Sequence, residues 1–443
     1  MQIQVAVIHP SFVSSNQSRS ETDSLDEAVS LAQALDFEVV FKEIVRIRAT
    51  HGATFFGSGR CESLMRDIAE SEAETVVIDG TITPVQQRNL ERLWNVKILD
   101  RTGLILEIFA SRARTSEGVL QVELAQLNYQ KSRLVRRWTH LERQRGALGF
   151  VGGAGETQIE ADRRAIDEQI LRIKKKLDTV VRTRGLHREA RKAVPYPIVA
   201  LVGYTNAGKS TLFNRLTGAG VQATDLLFAT LDPTMRAVRL PSGRQAVFSD
   251  TVGFISDLPH QLVAAFRATL EEVVNADLVL HVRDTSHPNA DHHAESVADI
   301  LDKLNVGASE SQTLVQVWNK IDLLSDRERD ELPTIPGGNG AIFPVSAKSG
   351  EGVRALLGHI DGQLRRNDRV ETLNLSYSDG RKRAWLFDEN VVQSESHCES
   401  GYELNVCWSR AQSKRFRHLF PEDDKKADDP EIAIPSANSQ LAS

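Results

Sequence analysis

The first quarter of the chain alternates short apolar runs with segments of helical spacing. Val5–Ile8, Val39–Val45, Thr75–Asp79 and Val96–Leu99 are strand-length runs rich in β-branched and aliphatic residues. Leu25–Leu35 and Pro84–Leu93 instead place apolar residues three and four apart, the spacing of a helix with one buried face. Ser24 or Asp23 is available to cap the first of these, and Pro84 suits the first turn of the second. This β–α alternation predicts a small α/β domain with a parallel sheet over residues 1–111. Its glycine cluster, Gly57-Ser58-Gly59-Arg60, lacks G-x-G-x-x-G and reads as a helix-start turn rather than a nucleotide site.

The period then changes to a heptad. Leu120, Leu124, Leu127, Leu134, Trp138 and Leu141 form one stripe. Ile159, Ile166, Ile170, Ile173, Leu177 and Val180 form a second. Two heptad helices with a short connection predict an antiparallel hairpin over 112–192. The connection, Gly146–Glu156, holds five glycines together with Leu148, Phe150 and Val151, and Thr157-Gln158-Ile159-Glu160 reads as a capping box opening the second helix.

Beyond the stiff junction Val194-Pro195-Tyr196-Pro197, buried-strand patterns recur at Pro197–Val202, Ala246–Ser249, Leu314–Trp318 and Phe343–Val345, predicting an α/β domain over 197–365. Residues 366–420, with patterned stretches at Val370–Leu375, Lys382–Val392 and Tyr402–Trp408, read as a small α/β module. The stretch 421–443 is acidic, then polar, and is expected to be disordered.

Composition adds little until it is divided. The 443 residues are 41% apolar and 26% charged, an ordinary globular balance. No apolar run reaches membrane-spanning length. Cys61, Cys398 and Cys407 have no metal-ligand spacing, and an odd number of cysteines favours a reducing cytoplasmic compartment. Net charge is −6, yet 112–192 carries nineteen Lys or Arg against ten Asp or Glu. Arg136, Arg137, Arg143, Arg145, Arg163 and Arg164 flank the glycine-rich tip. A solvated coiled-coil face and an RNA-probing arm both fit this charge, with Phe150 and Leu148 able to wedge against bases in the second case.

The strongest chemical signal is Gly203-Tyr204-Thr205-Asn206-Ala207-Gly208-Lys209-Ser210, the G-x-x-x-x-G-K-[ST] phosphate loop, between a buried strand and the helix start Thr211–Leu216. Backbone N–H groups and a helix N-terminus favour phosphate there, Lys209 reaches the β/γ phosphates and the Ser210 hydroxyl binds Mg2+. Four downstream pieces select guanine. Asp250-Thr251-Val252-Gly253 ends a strand, with Asp250 on Mg2+ through water and the Gly253 N–H sensing a γ-phosphate. Asn319-Lys320-Ile321-Asp322 is N-K-x-D, whose Asp322 carboxylate accepts from both N1–H and the exocyclic amine of guanine. Ser346-Ala347-Lys348 supplies a backbone N–H for guanine O6. Phe228-Ala229-Thr230-Leu231-Asp232 places the Thr230 hydroxyl where it can join Mg2+. Together these predict a P-loop GTPase domain with a mostly parallel sheet, preceded by the small α/β domain and the two-helix hairpin.

The chain resembles the HflX GTPases of the translation-factor-related Obg–HflX group. Phe228–Thr234, Asp250–Pro259, Phe266–Glu271, His281–Pro288 and Gly155–Glu160 carry the resemblance. It implies GTP hydrolysis with Mg2+, a monomer without membrane insertion (at most peripheral at membranes), and binding to the large ribosomal subunit and its RNA. It further implies dissociation or rescue of stalled ribosomes, with hydrolysis stimulated by the ribosome. Two positions depart from the family pattern: Val151 stands where the glycine loop usually carries arginine, and Arg60 where lysine is common.

Phe254 follows Gly253 where Ras-like proteins carry a water-positioning glutamine, so the isolated chain is expected to hydrolyse GTP slowly, with Lys209, Thr230 and Gly253 supplying the catalytic contacts. Asn206 sits where some GTPases help bind K+; bracing of the loop is the plainer role. His281 reads as ending a strand, and His287, His292 and His293 as lying in a helix-start loop, with solvated or hydrogen-bonded roles. Two other functions remain open: a switch for ribosome assembly, hibernation or a protein or membrane surface, and an RNA-remodelling NTPase with a second nucleotide site in residues 1–110.

Overall fold

A computed structural model of the protein describes residues 2–13, 20–142, 154–192, 196–220, 227–228, 234–256, 272–304, 306, 313–333, 341–366 and 368–421. For 135–142, 154–159, 181, 184–192 and 410–411 it describes the backbone alone.

The N-terminal unit holds strands β1 (Gln4–Phe12), β2 (Glu38–Ile47), β3 (Thr75–Ile78) and β4 (Lys97–Asp100), all parallel, in the order β2-β1-β3-β4. Helices α1 (Glu21–Gln33), α2 (Ser58–Glu70), α3 (Pro84–Trp94) and α4 (Arg101–Arg112) cover both faces. The strands are near-continuous apolar runs because both faces are buried. Ala6 and Ile8 point into a core with Leu64, Ile68 and Leu90, whereas Val5 and Val7 point to the opposite side with Leu31, Ile105 and Phe109.

Helix α1 begins at Glu21 with Ser20 at its N-cap, so Ser24 and Asp23 lie inside it rather than capping it; the acidic Glu21 and Asp23 favour the extra turn at the helix's positive end. Helix α4 has no legible stripe in the sequence because residues 101–106, 108 and 109 are buried nearly all round.

Helices α5 (Ser116–Glu142) and α6 (Ala154–Lys192) pack antiparallel. Leu127 meets Ile170 and Ile173 in a seam flanked by Leu120, Leu124 and Ile166, and Lys131 pairs with Asp167 at 2.5 Å. Helix α6 already starts at Ala154, so Thr157 lies inside its first turn and not at the cap position. The stretch Ala154–Glu156 continues the helix backwards, since a helix needs no capping side chain to gain a turn. Arg143, Arg145, Phe150 and Val151 lie outside the described residues, as do the side chains of Arg136 and Arg137.

The next sheet has the order β10-β9-β8-β5-β7-β6. Its strands are β5 (Ile198–Gly203), β6 (Thr234–Arg239), β7 (Gln245–Asp250), β8 (Leu278–Asp284), β9 (Thr313–Asn319) and β10 (Ile342–Pro344). Every pairing is parallel except the antiparallel edge strand β6. Helices α7 (Lys209–Thr217), α8 (Ala290–Lys303), α9 (Asp326–Asp330) and α10 (Val353–Arg365) follow their strands. This is an α/β doubly wound arrangement, and the loops after β5, β7, β9 and β10 meet at the carboxyl end of the sheet, where such folds bind ligands. The apolar cluster on the α1/α4 side of the first sheet runs without a break into this domain through Tyr204, Phe228, Phe254 and Val279.

The last unit is an antiparallel sheet ordered β11-β13-β12, from β11 (Arg369–Ser376), β12 (Val392–Cys398) and β13 (Gly401–Trp408). Helices α11 (Gly380–Asp388) and α12 (Arg410–Leu419) pack on it around Leu386, Leu404, Trp408 and Phe416. The stretch 422–443 lies outside the described residues.

Candidate nucleotide site

Strand β5 is central and buried from Val199 to Gly203, so the turn that follows it opens at the middle of the sheet. Gly208 enters α7 with φ +86°, and a Cβ there would lie 2.3 Å from Asn319 Nδ2. Only glycine allows this approach of the loop to the strand-β9 terminus. Asn206 adopts the left-handed conformation at φ 58°, which bends the loop back toward α7. The Lys209 ammonium is buried and donates to the carbonyls of Gly203 (3.1 Å) and Tyr204 (2.8 Å). Burial pushes its pKa from 10.5 down to about 8, against the pull of Asp250. A cation held short of its ordinary pKa gains from a phosphate placed beside it.

Asp250 closes β7, and the Ser210 hydroxyl donates to its Oδ2 at 2.7 Å. The expected Mg2+ hydroxyl and its outer carboxylate are thus adjacent, a donor set of hard oxygens that fits Mg2+. Thr251 is turned away and bonds the Leu201 carbonyl at 2.5 Å. Gly253 is pressed on the loop: a Cβ there would lie 2.9 Å from Thr205 Cα and 3.0 Å from Lys209 Nζ. Phe254 is buried, and its backbone zips to the loop through Phe254 N–H to Gly203 O (3.1 Å) and Thr205 N–H to Phe254 O (2.7 Å).

The pieces expected to read the base converge as well. The Asn319 amide donates to Ala207 O at 2.9 Å and its Oδ1 accepts the Ala347 N–H at 2.9 Å. One side chain therefore ties the phosphate loop, N-K-x-D and S-A-K together. Asp322 accepts from the Ser346 hydroxyl at 2.7 Å, which orients the carboxylate. Lys320, left-handed at φ 66°, pairs with Asp284 at 2.7 Å.

Some contacts have no signature in the sequence. Arg215 on α7 donates to Ala347 O at 3.1 Å and to Lys348 O, stapling the S-A-K loop. Tyr204, inside the phosphate loop, directs its hydroxyl to Glu27 of α1 and to Ser256. Arg101 of α4 reaches the Ser256 carbonyl at 2.8 Å.

Of the remaining expected residues, Phe228 is buried against Phe109 with ring centroids 4.6 Å apart. Ala229, Thr230, Leu231 and Asp232 lie outside the described residues. Arg163 and Arg164 are exposed on α6, with Arg164 paired to Glu160 at 3.1 Å. His281 does not end β8 but sits inside it, because Val202 and Gln316 pair on either side. Burial, then the charges of Arg283 and Lys209, push its pKa down to about 4, so it is neutral at physiological pH. His292 and His293 lie on α8; His293 stacks on Tyr204 at 3.8 Å.

Three family models match the chain: "GTP-binding GTPase N-terminal" over 22–110, "GTP-binding GTPase Middle Region" over 112–191 and "50S ribosome-binding GTPase" over 198–320. A GTPase HflX from Magnetococcus marinus is 54% identical over 86% of this chain and 86% of its own. The GTPase HflX of Escherichia coli is 42% identical over 86% of this chain and 88% of its own. The solved complex of SsGBP with GDP superposes at a TM-score of 0.48 with 23% identity, covering 81% of this chain and 98% of that one. With identity of this extent along the N-terminal, middle and P-loop regions alike, the chain belongs to the HflX family of GTPases and is a GTP-hydrolysing enzyme.

Proposed function

We propose that the protein binds GTP in the loop 203–211, reads guanine with Asn319, Asp322 and a backbone N–H of the Ser346–Lys348 loop, and holds Mg2+ through Ser210, Thr230 and, across water, Asp250. The observation that carries this is the double hydrogen bond of Asn319, to Ala207 and from Ala347, which joins the phosphate and base ends into one pocket. Mg2+ supplies charge neutralisation at the β/γ phosphates; the chain contributes the Lys209 ammonium, the γ-phosphate-sensing Gly253 N–H and the exclusion of water by Phe254.

The partner is the large ribosomal subunit, bound in the cytoplasm through the basic hairpin, and the outcome is dissociation or rescue of stalled ribosomes. Phe254 supports the need for a partner: its apolar ring cannot orient a water, so the stabilisation missing from the isolated site has to be supplied from outside. The family model described as a 50S ribosome-binding GTPase supports the same partner.

Sucrose-gradient sedimentation of intact ribosomes with GTP or a non-hydrolysable analogue tests this reading. Co-sedimentation with large subunits in the analogue, and a hydrolysis rate raised by ribosomes, are expected. Equal turnover with and without ribosomes would overturn it.

A further inference from the structure

The N-terminal unit grips both nucleotide-sensing segments with one helix. At the start of α4, Arg101 donates Nη2 to the carbonyl of Ser256, three residues after Gly253, at 2.8 Å. Two turns on, Phe109 packs edge-to-face on Phe228, which immediately precedes the Ala229–Asp232 stretch. The two anchors are independent in chemistry, one polar and one aromatic, yet share a rigid element.

Arg101 is buried and its fork is spoken for on three sides: Asp79 at 2.6 Å, Glu27 and the Ser256 carbonyl. Burying a guanidinium and two carboxylates costs several kcal/mol before their attraction is counted, which makes such a cluster a weak source of stability and a strong source of geometry. Glu27 also accepts from the Tyr204 hydroxyl. With its proton committed there, the Tyr204 oxygen accepts the Ser256 N–H at 2.8 Å and the Ser256 hydroxyl at 2.7 Å. Ser256 is thus held at its N–H through the phosphate loop and at its carbonyl through α4. Gly253 lies between the Thr251 hydroxyl's bond to the Leu201 carbonyl and the backbone zip at Phe254, with Ser256 fixed just beyond, so its N–H has little freedom to wander.

We propose that Arg101 and Phe109 are positioning residues for GTP hydrolysis: through α4 they pre-order Gly253–Ser256 and Phe228, so that the site does not spend its binding energy on ordering these segments. This rests on the nucleotide site proposed above. A chain lacking the water-positioning glutamine depends on backbone groups of the same segment, and pre-paid order is worth most where side-chain chemistry is absent. GDP lacks the γ-phosphate that the Gly253 N–H would sense, so GDP affinity and the preference for a GTP analogue report on the two roles separately.

The test compares full-length wild type with Arg101→Met, Arg101→Lys and Phe109→Leu. Fluorescent-GDP titration, GTP-analogue titration and single-turnover hydrolysis are measured for each. Arg101→Met and Phe109→Leu are expected to keep GDP affinity within about twofold, lose about fivefold or more in preference for the GTP analogue, and drop about tenfold in kcat, with KM for GTP rising in step with the weaker analogue binding. Arg101→Lys keeps the charge without the fork and is expected to fall between wild type and Arg101→Met. Unchanged kcat and unchanged analogue preference in both anchors would overturn the proposal. So would faster hydrolysis, which would make the grip a brake, and so would loss of GDP binding in both, which would make α4 a support for the whole domain. Failure of the wild type to bind GDP would instead overturn the site itself.

Discussion

Ser210 and Asp250, forty residues apart, meet at 2.7 Å across the mouth of the sheet, hydroxyl to carboxylate. In the site proposed above, Ser210 would hold a divalent cation directly and Asp250 would hold it through water. Ser210→Ala removes a direct ligand but leaves the phosphate loop's backbone intact. We expect about tenfold weaker GTP affinity in Mg2+, about 1.4 kcal/mol, and about twofold or less in EDTA. Titration with and without Mg2+ decides it; an equal loss in both conditions would show that the serine acts on the loop and not on the metal.

Asp322 offers two carboxylate oxygens, one of them already oriented by Ser346. Asp322→Asn turns an acceptor into a donor. Guanine then faces a mismatched amide and an unsatisfied pair, whereas xanthine, which carries an oxygen in place of the exocyclic amine, finds a donor. Loss of about 100-fold in GTP affinity is expected, from two charged hydrogen bonds of about 1.5 kcal/mol each, together with gain of XTP binding. Competition between GTP and XTP measures it, and a uniform loss for both nucleotides would count against Asp322 as the base reader.

Arg215 is outside every motif, yet it holds the carbonyls of Ala347 and Lys348. Arg215→Ala releases the Ala347 and Lys348 carbonyls while the Ala347 N–H keeps its bond to Asn319. An affinity loss of about fivefold, close to one kilocalorie per mole, is expected for GTP and GDP alike, with kcat little changed. A variant that lowered kcat without touching nucleotide affinity would show that the S-A-K loop needs no staple.

Lys209 titrates near pH 8 in the nucleotide-free protein because burial opposes its charge. Phosphate oxygens at Nζ favour the charged form and raise that pKa. Binding at pH 8 therefore takes up about half a proton, binding at pH 6 takes up almost none, and GTP affinity falls as pH rises above about 8. Calorimetry in two buffers of different ionisation enthalpy reads the uptake directly. A proton release at pH 8, or affinity that climbs from pH 8 to 9, would contradict the assignment of Lys209 to the phosphates.

Local sequence determined much of this protein. The strand–glycine–helix order made the phosphate loop legible, since close backbone approach needs glycine wherever it occurs. N-K-x-D and S-A-K pointed to guanine because hydrogen-bond chemistry travels with residue type. The heptads foretold the α5–α6 seam, because periodic burial is written along the chain. Tertiary structure decided what periodicity and motifs cannot encode. Helix α4 is buried nearly all round over residues 101–109 and shows no stripe. Arg101 and Ser256 stand 155 positions apart. The hydroxyl of Tyr204 finds Glu27 only after two separate sheets have packed on one continuous apolar core. A buried charge takes its meaning from partners that three-dimensional packing brings to it, and no spacing along the chain announces them.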